Sequence, residues 1–185
     1  YLCADKLEDP RNSYALSKIY GEALCHNSGI PFTILRPHNF YGPRMGMSHV
    51  IPELVKKIYF CKENSMQIYN GKHSRTFLYI DDAIKIIDNL IKSNYSKNET
   101  FNIGDQKNEI NIMNLAKLIS KLLNKKLKLI AVTDKNNSPV RRCPSMEKVY
   151  KIIKKDKLTS IEEGVKLCFD WYNKYVFNSD MPSSK

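Results

Sequence analysis

The chain has 185 residues, 42% hydrophobic and 26% charged, which suffices for one domain with a real core, is too short for two large ones and excludes a disordered tail. Thirty lysines and arginines against 19 acidic residues give a formal charge of +11, so this is a basic globular protein. The longest apolar stretches, Ile30 to Leu35 and Ile84 to Ile91, fall far short of the roughly 20 residues that cross a bilayer, which excludes a helical membrane span.

The first residues, Tyr1 to Pro10, carry charges and no apolar leader core, and a chain that opens on Tyr rather than Met is expected to be a truncated sequence or fragment. Ser13 is placed to cap a helix from Tyr14 to about Asn27, with a wide apolar face from Ala15, Leu16, Ile19, Gly21, Ala23 and Leu24, ended by Gly29. Phe32 to Leu35 reads as a short buried strand stopped by Arg36-Pro37, and it delivers the chain into an irregular loop, His38 to Ser48. Loops at the carboxyl ends of strands are where open α/β sheets place their ligands. Pro52 opens a helix to about Cys61, and strands Met66–Tyr69 and Thr76–Ile80 follow, joined by the turn Asn70-Gly71-Lys72. Asp81 and Asp82 begin and cap a helix over Ala83–Lys92, their negative charge at its positive end. Then come a strand at Thr100–Ile103 with a turn at Gly104, a helix at Asn111–Leu123, a strand at Leu127–Val132 and a helix from Ile161 to about Tyr175. Alternation of this kind predicts an α/β fold. Linker character is strongest at Ser93–Thr100 and Asp134–Pro139.

Cysteines 3, 25, 61, 143 and 168 form no C-x-x-C pair, which predicts scattered reduced thiols. The histidines stand at no ligand spacing with them, so no metal is expected. Most of the charge excess is lysine along solvated faces, as in Lys117, Lys121, Lys125 and Lys126, and no aromatic-basic motif supports an RNA-binding module.

Tyr14-Ala-Leu-Ser-Lys18 puts a phenol and an ammonium at i and i+4, on one helical face, where the cation can stabilise a phenolate. Carbinol oxidation needs that pair, because the phenolate removes the hydroxyl proton as hydride departs for a nicotinamide. The spacing alone is common: with 11 tyrosines in 185 residues chance supplies roughly one such pair, and Tyr150 with Lys154 is a second. Context distinguishes the first. After Lys18 come Ile-Tyr-Gly-Glu, then Arg36-Pro-His-Asn-Phe-Tyr-Gly-Pro43, then Gly71-Lys-His-Ser-Arg-Thr-Phe-Leu-Tyr-Ile-Asp-Asp82, then Phe101-Asn-Ile-Gly104.

This ordered series resembles the extended short-chain dehydrogenase/reductase superfamily, in particular its NAD-dependent nucleotide-sugar epimerases, dehydratases and decarboxylases, from Tyr14 to about Glu163. The resemblance implies the C-terminal part of a Rossmann-type NAD-binding domain plus a smaller α/β substrate domain. Residues 1–48 would be the last part of the cofactor domain with the catalytic helix, and residues 49–185 mainly the nucleotide-sugar domain, with some strands and helices returning to the Rossmann domain. It makes Tyr14 the catalytic base, Lys18 the residue that tunes it and holds the nicotinamide ribose, and Pro37 and His38 neighbours of the nicotinamide of NAD. Asn39, Arg75 and Arg142 would bind the sugar nucleotide's diphosphate, Asn39 by donating from its amide and the arginines as forks. In place of the usual Arg-x-Pro-Asp stands Arg142-Cys-Pro-Ser145, without the Asp.

Seven glycines, at 21, 29, 42, 46, 71, 104 and 164, form no G-x-G-x-x-G or G-x-x-G-x-x-G, so the phosphate-cradling turn of the cofactor site is expected to precede residue 1. The implied activity is oxidation of a sugar carbon to a transient ketone in polysaccharide or glycan precursor synthesis, in the cytoplasm, by an enzyme that dimerises partly through the helix of Tyr14. The rival reading is a catalytically inactive nucleotide-sugar-binding fragment without its NAD site.

Overall fold

The computed structural model describes residues 10–133 and 139–178. Cys3 and most of the linker expected at Asp134–Pro139 lie outside them. The first helix, α1, spans Pro10–Asn27. It begins before Ser13, which therefore sits inside the helix and is not its cap; a proline at the first helical position loses no hydrogen bond. Strand β1 (Thr33–Pro37) leads to a two-residue strand β2 (Phe40–Tyr41) inside the stretch expected to be irregular. Helix α2 (Val50–Phe60) and strand β3 (Ser65–Tyr69) follow.

The single strand expected at Thr76–Ile80 is two, β4 (Ser74–Thr76) and β5 (Leu78–Tyr79), because the chain changes sheets at Phe77. Helix α3 is Ile80–Lys92, with Tyr79 at the N-cap position making no side-chain cap. Asp81 and Asp82 therefore lie in its first turn and do not cap it. Asp82 is buried and accepts a 2.7 Å hydrogen bond from Thr159 N, so its carboxylate ties a distant segment to α3. Between α3 and β6 (Glu99–Ile103) the expected linker holds a 3-10 turn whose buried Ser96 donates to Leu90 O and Ser93 O. The remaining elements are β7 (Glu109–Asn111), α4 (Ile112–Leu122), β8 (Lys128–Val132), β9 (Arg141–Arg142), α5 (Glu147–Tyr150) and α6 (Ile161–Tyr172), which runs into a π-helical turn to Phe177. Asn111 caps α4 through Asn114 N, and Ser160 caps α6 through Glu163 N.

Parallel pairing dominates: β1 with β6, β2 with β5 and β3 with β8, while β4 pairs antiparallel with β7 and parallel with β9. Two cores result. One, built on α2, α4 and α6, closes over Tyr41, Ile68, Phe77 and Tyr79. The other packs Ala83, Ile86 and Leu90 of α3 on Phe101 and Ile103 of β6, with Met146 and Val149 beneath. The apolar side of α1 enters neither: Leu16, Ile19, Tyr20 and Leu24 are exposed. Cys25, Cys61, Cys143 and Cys168 are free thiols. Among the described residues no helix is long and apolar enough to cross a membrane.

Candidate active site

Helix α1 is tied to β1 at two points. The His26 ring meets Phe32 edge-on at 4.7 Å, and Arg36 Nε donates to Glu22 Oε1 at 2.8 Å. Passing from His26 to Glu22 on the helix thus corresponds to passing from Phe32 to Arg36 on the strand, so the two run in opposite directions. Lys18 and Tyr14 continue the stripe of Glu22 at four-residue steps, each about 6 Å farther along. That direction leads past the carboxyl end of β1, where Pro37 and His38 lie. Tyr14 is 68% exposed, and Lys18 Nζ stands over its ring, 5.3 Å from the centroid.

At the end of β1, His38 N donates to Ile103 O at 2.9 Å. Burial pulls the His38 imidazole below its ordinary pKa and the Arg142 charge adds to the pull, against a hydrogen bond with Asn102. Gly104 makes this approach possible. A Cβ there would stand 2.5 Å from Pro144 Cγ and 3.2 Å from His38 Cβ, so its role is close packing and not the turn expected from sequence. Asn39 has φ 46°, a left-handed conformation that asparagine tolerates, and its Nδ2 donates to Thr76 O at 2.9 Å. One of the amide hydrogens expected to face an anion is thus engaged by backbone.

Arg75 and Arg142, 67 positions apart in sequence, are register partners on β4 and β9. Arg75 is only 9% exposed, and its Nη1 donates to Ser74 O at 2.7 Å and Val140 O at 3.3 Å. Burial lowers its pKa and the neighbouring Arg142 lowers it further, the mark of two like charges held together. The structure therefore brings His38, Asn39, Arg75 and Arg142 to one locality at the strand ends. Arg75 also borders a cleft of about 250 Å³ lined by Val50, Lys57, Tyr69, His73 and Ile112. Tyr69 and His73 flank the Asn70-Gly71-Lys72 turn, and it is this placement beside Arg75, more than any residue pattern, that singles them out.

The sequence model of the NAD dependent epimerase/dehydratase family matches residues 2–104, more than half of the chain. The chain belongs to the NAD-dependent epimerase/dehydratase family. Among curated members, GDP-L-fucose synthase of Sinorhizobium fredii is 31% identical over 176 residues, covering 89% of this chain and 55% of the relative. Two solved folds align well. UDP-glucuronic acid 4-epimerase from Bacillus cereus, in complex with UDP-glucuronic acid and NAD, has TM-score 0.76 at 24% identity over 87% of this chain and 52% of that one. RMD from Pseudomonas aeruginosa, complexed with NADPH, has TM-score 0.75 at 22% identity over 87% and 56%. This family member spans about half the length of these relatives, and its α/β architecture with parallel pairs matches that share of their fold. All of α1, β1 and the Arg75 segment of this epimerase/dehydratase chain fall within the matched residues; Arg142 lies beyond them.

Proposed function

We propose that this chain supplies the catalytic helix and the nucleotide-sugar face of an NAD-dependent epimerase or dehydratase that works through a transient keto sugar. The observation that carries the reading is the in-register Arg75–Arg142 pair, two guanidinium groups side by side on β4 and β9 near His38 at the end of β1. Two guanidinium forks on adjacent strands form a donor set that one doubly charged anion can bridge. A diphosphate has the charge and the spacing of oxygens to do so. The adjoining cleft, with the Tyr69 ring at its wall, has room for the nucleoside end.

The exposed phenol and ammonium of α1 form a donor set suited to the ribose hydroxyls of NAD, with Pro37 and His38 along its nicotinamide edge. When bound, NAD supplies a reversible hydride acceptor. Tyr14 takes the hydroxyl proton from the sugar carbon, and the Lys18 cation stabilises the phenolate that does so. Arg75 and Arg142 hold the diphosphate so that the sugar extends toward Tyr14, and Asn39 contributes its second amide hydrogen. Residues 1–48 then belong with the cofactor domain and residues 49–185 mainly with the sugar-nucleotide domain, with α3 and β6, which pack against Leu35 and Phe40, among the elements that return to the cofactor side. The exposed Leu16, Ile19 and Leu24 on α1 support a homodimer through that helix, and the two small-molecule ligands favour a cytoplasmic setting.

The test is kinetic. In the full-length enzyme, Arg142→Ala and Arg75→Ala should each raise the KM for the sugar nucleotide by about tenfold or more, with a smaller effect on NAD, because uniform binding is what is lost. Equal effects on both ligands would reject the diphosphate site. The missing glycine turn supports a second reading for the 185 residues alone, an inactive nucleotide-sugar binder. Titration of the chain with NAD tests it: tight binding overturns that reading.

A further inference from the structure

Helix α6 touches the stretch that follows Asn39 at two places. The first is Gly164, where an added Cβ would stand 2.0 Å from Tyr41 Oη and 2.7 Å from Cζ, so the phenol tip rests directly on bare helix backbone. Tyr41 is buried, and its hydroxyl has no hydrogen-bond partner among the described residues. Its polar end therefore does not hold the ring there; edge-on packing with Phe77 and Tyr79 holds its body, and the fit against a residue without a side chain holds its tip. The second contact lies two turns along the same face of α6, where Tyr172 Oη donates to Met45 O at 2.6 Å. Helix α6 thus grips both ends of the segment 41–45. Between them Arg44 is held at φ 67°, and on the far side Gly42 is so close to α3 that a Cβ would stand 2.5 Å from Ile80 Cγ2. Contacts with α6 and α3 thus hold the segment at Tyr41, Gly42 and Met45.

Asn39 is the polar residue this clamp controls. It is two residues upstream of Tyr41, and Phe40 and Tyr41 are paired with Leu78 and Tyr79. Any shift of the Tyr41 ring pulls on that short ladder and on the left-handed Asn39, whose side chain reaches Thr76 O next to Arg75. Core packing alone would be served as well by a small side chain and a shifted ring. The bare Gly164 fixes one ring position instead.

We infer that α6 is a positioning element for the anion-binding face, acting through Gly164 on Tyr41 and through Tyr172 on Met45, with Gly164 the positioning residue that sets Asn39. The inference rests on reading that face as a nucleotide-sugar site, and the experiment separates the two. Calorimetric titration of the unaltered chain with UDP, GDP and dTDP identifies the nucleoside diphosphate bound most tightly, which then serves as probe. Gly164→Ala should weaken its binding by about tenfold while the circular dichroism spectrum keeps its shape. In an Asn39→Gly background, which keeps the positive φ and lacks the amide, the same substitution should cost about twofold or less, because its effect runs through Asn39. Tyr172→Phe removes one hydrogen bond and almost no volume; it should weaken the probe by a few fold, and it decides the matter if Gly164→Ala does not fold. Unaltered affinity in either folded variant, or equal losses from Gly164→Ala in both backgrounds, overturns the inference and leaves the site reading standing. An unaltered chain that binds none of the three probes overturns both.

Discussion

Arg142 repels Arg75 in the ligand-free chain, so Arg142→Gln should raise its stability. Arg142 is exposed and faces the buried Arg75 across one strand spacing. Strands lie about 4.8 Å apart, and guanidinium groups about 7 Å apart repel by about 2.4 kcal/mol at an effective dielectric of 20 and about 0.6 kcal/mol in water. Exposure of one partner puts the repulsion in the lower part of that range, about 1 kcal/mol, which for a chain of this size moves the melting temperature by about 2–4 °C. Thermal melts followed by circular dichroism at low salt should show that gain. It should shrink at 1 M salt, where the Debye length is about 3 Å. Pyrophosphate should raise the melting temperature of the unaltered chain more than that of the variant. His38 supplies an independent readout: burial still holds its pKa below the ordinary value, but without the Arg142 charge it should titrate at higher pH than in the unaltered chain. A variant that melts lower at low salt, or whose gain ignores salt, would refute the reasoning.

Two further outcomes follow from buried polar groups. Burial raises the pKa of the Asp105 carboxyl, against hydrogen bonds from the backbone of Lys107 and Asn108. The fold therefore favours its protonated form, and stability falls as pH rises from the unfolded carboxyl range near 3.9 through the raised folded value. Asp105→Asn should melt higher than the unaltered chain at pH 7, with the difference vanishing as the pH approaches about 4; a lower melting temperature at pH 7 would contradict this. Tyr41→Phe removes a buried hydroxyl without a partner among the described residues, so urea unfolding should find it neutral or more stable by up to about 1 kcal/mol, and a loss of that size would show that the hydroxyl is satisfied.

Local chemistry made much of this legible in the sequence. The i, i+4 spacing of Tyr14 and Lys18 and the apolar period of α3 and α4 are written within single turns of helix, and the structure returns those helices with ends shifted by a few residues. The short elements were not legible. β7 and β9 have three and two residues, too few to show a period of two, and they exist because β4 offers them an edge on each side. The break at Phe77 has the same origin: Thr76 to Ile80 reads as one run until two different partners claim its halves. Residue type alone likewise hides what Gly104, Gly164 and Asp82 do, because each answers to a segment 40 or more positions away: Pro144 for Gly104, Tyr41 for Gly164 and Thr159 for Asp82. That Arg75 and Arg142 stand side by side follows from the parallel pairing of β4 with β9, which no residue pattern announces.

If Tyr14 is the base of a sugar-nucleotide oxidation, turnover by the full-length enzyme carrying Tyr14→Phe reads its loss without an intermediary. The phenol is 68% exposed and packs into neither core, so its hydroxyl can be removed without disturbing the fold. With the base gone and the ring kept, turnover of the sugar nucleotide should fall by about 10²-fold or more while its KM changes little. A Tyr14→Phe enzyme that turns over at the unaltered rate would contradict the account.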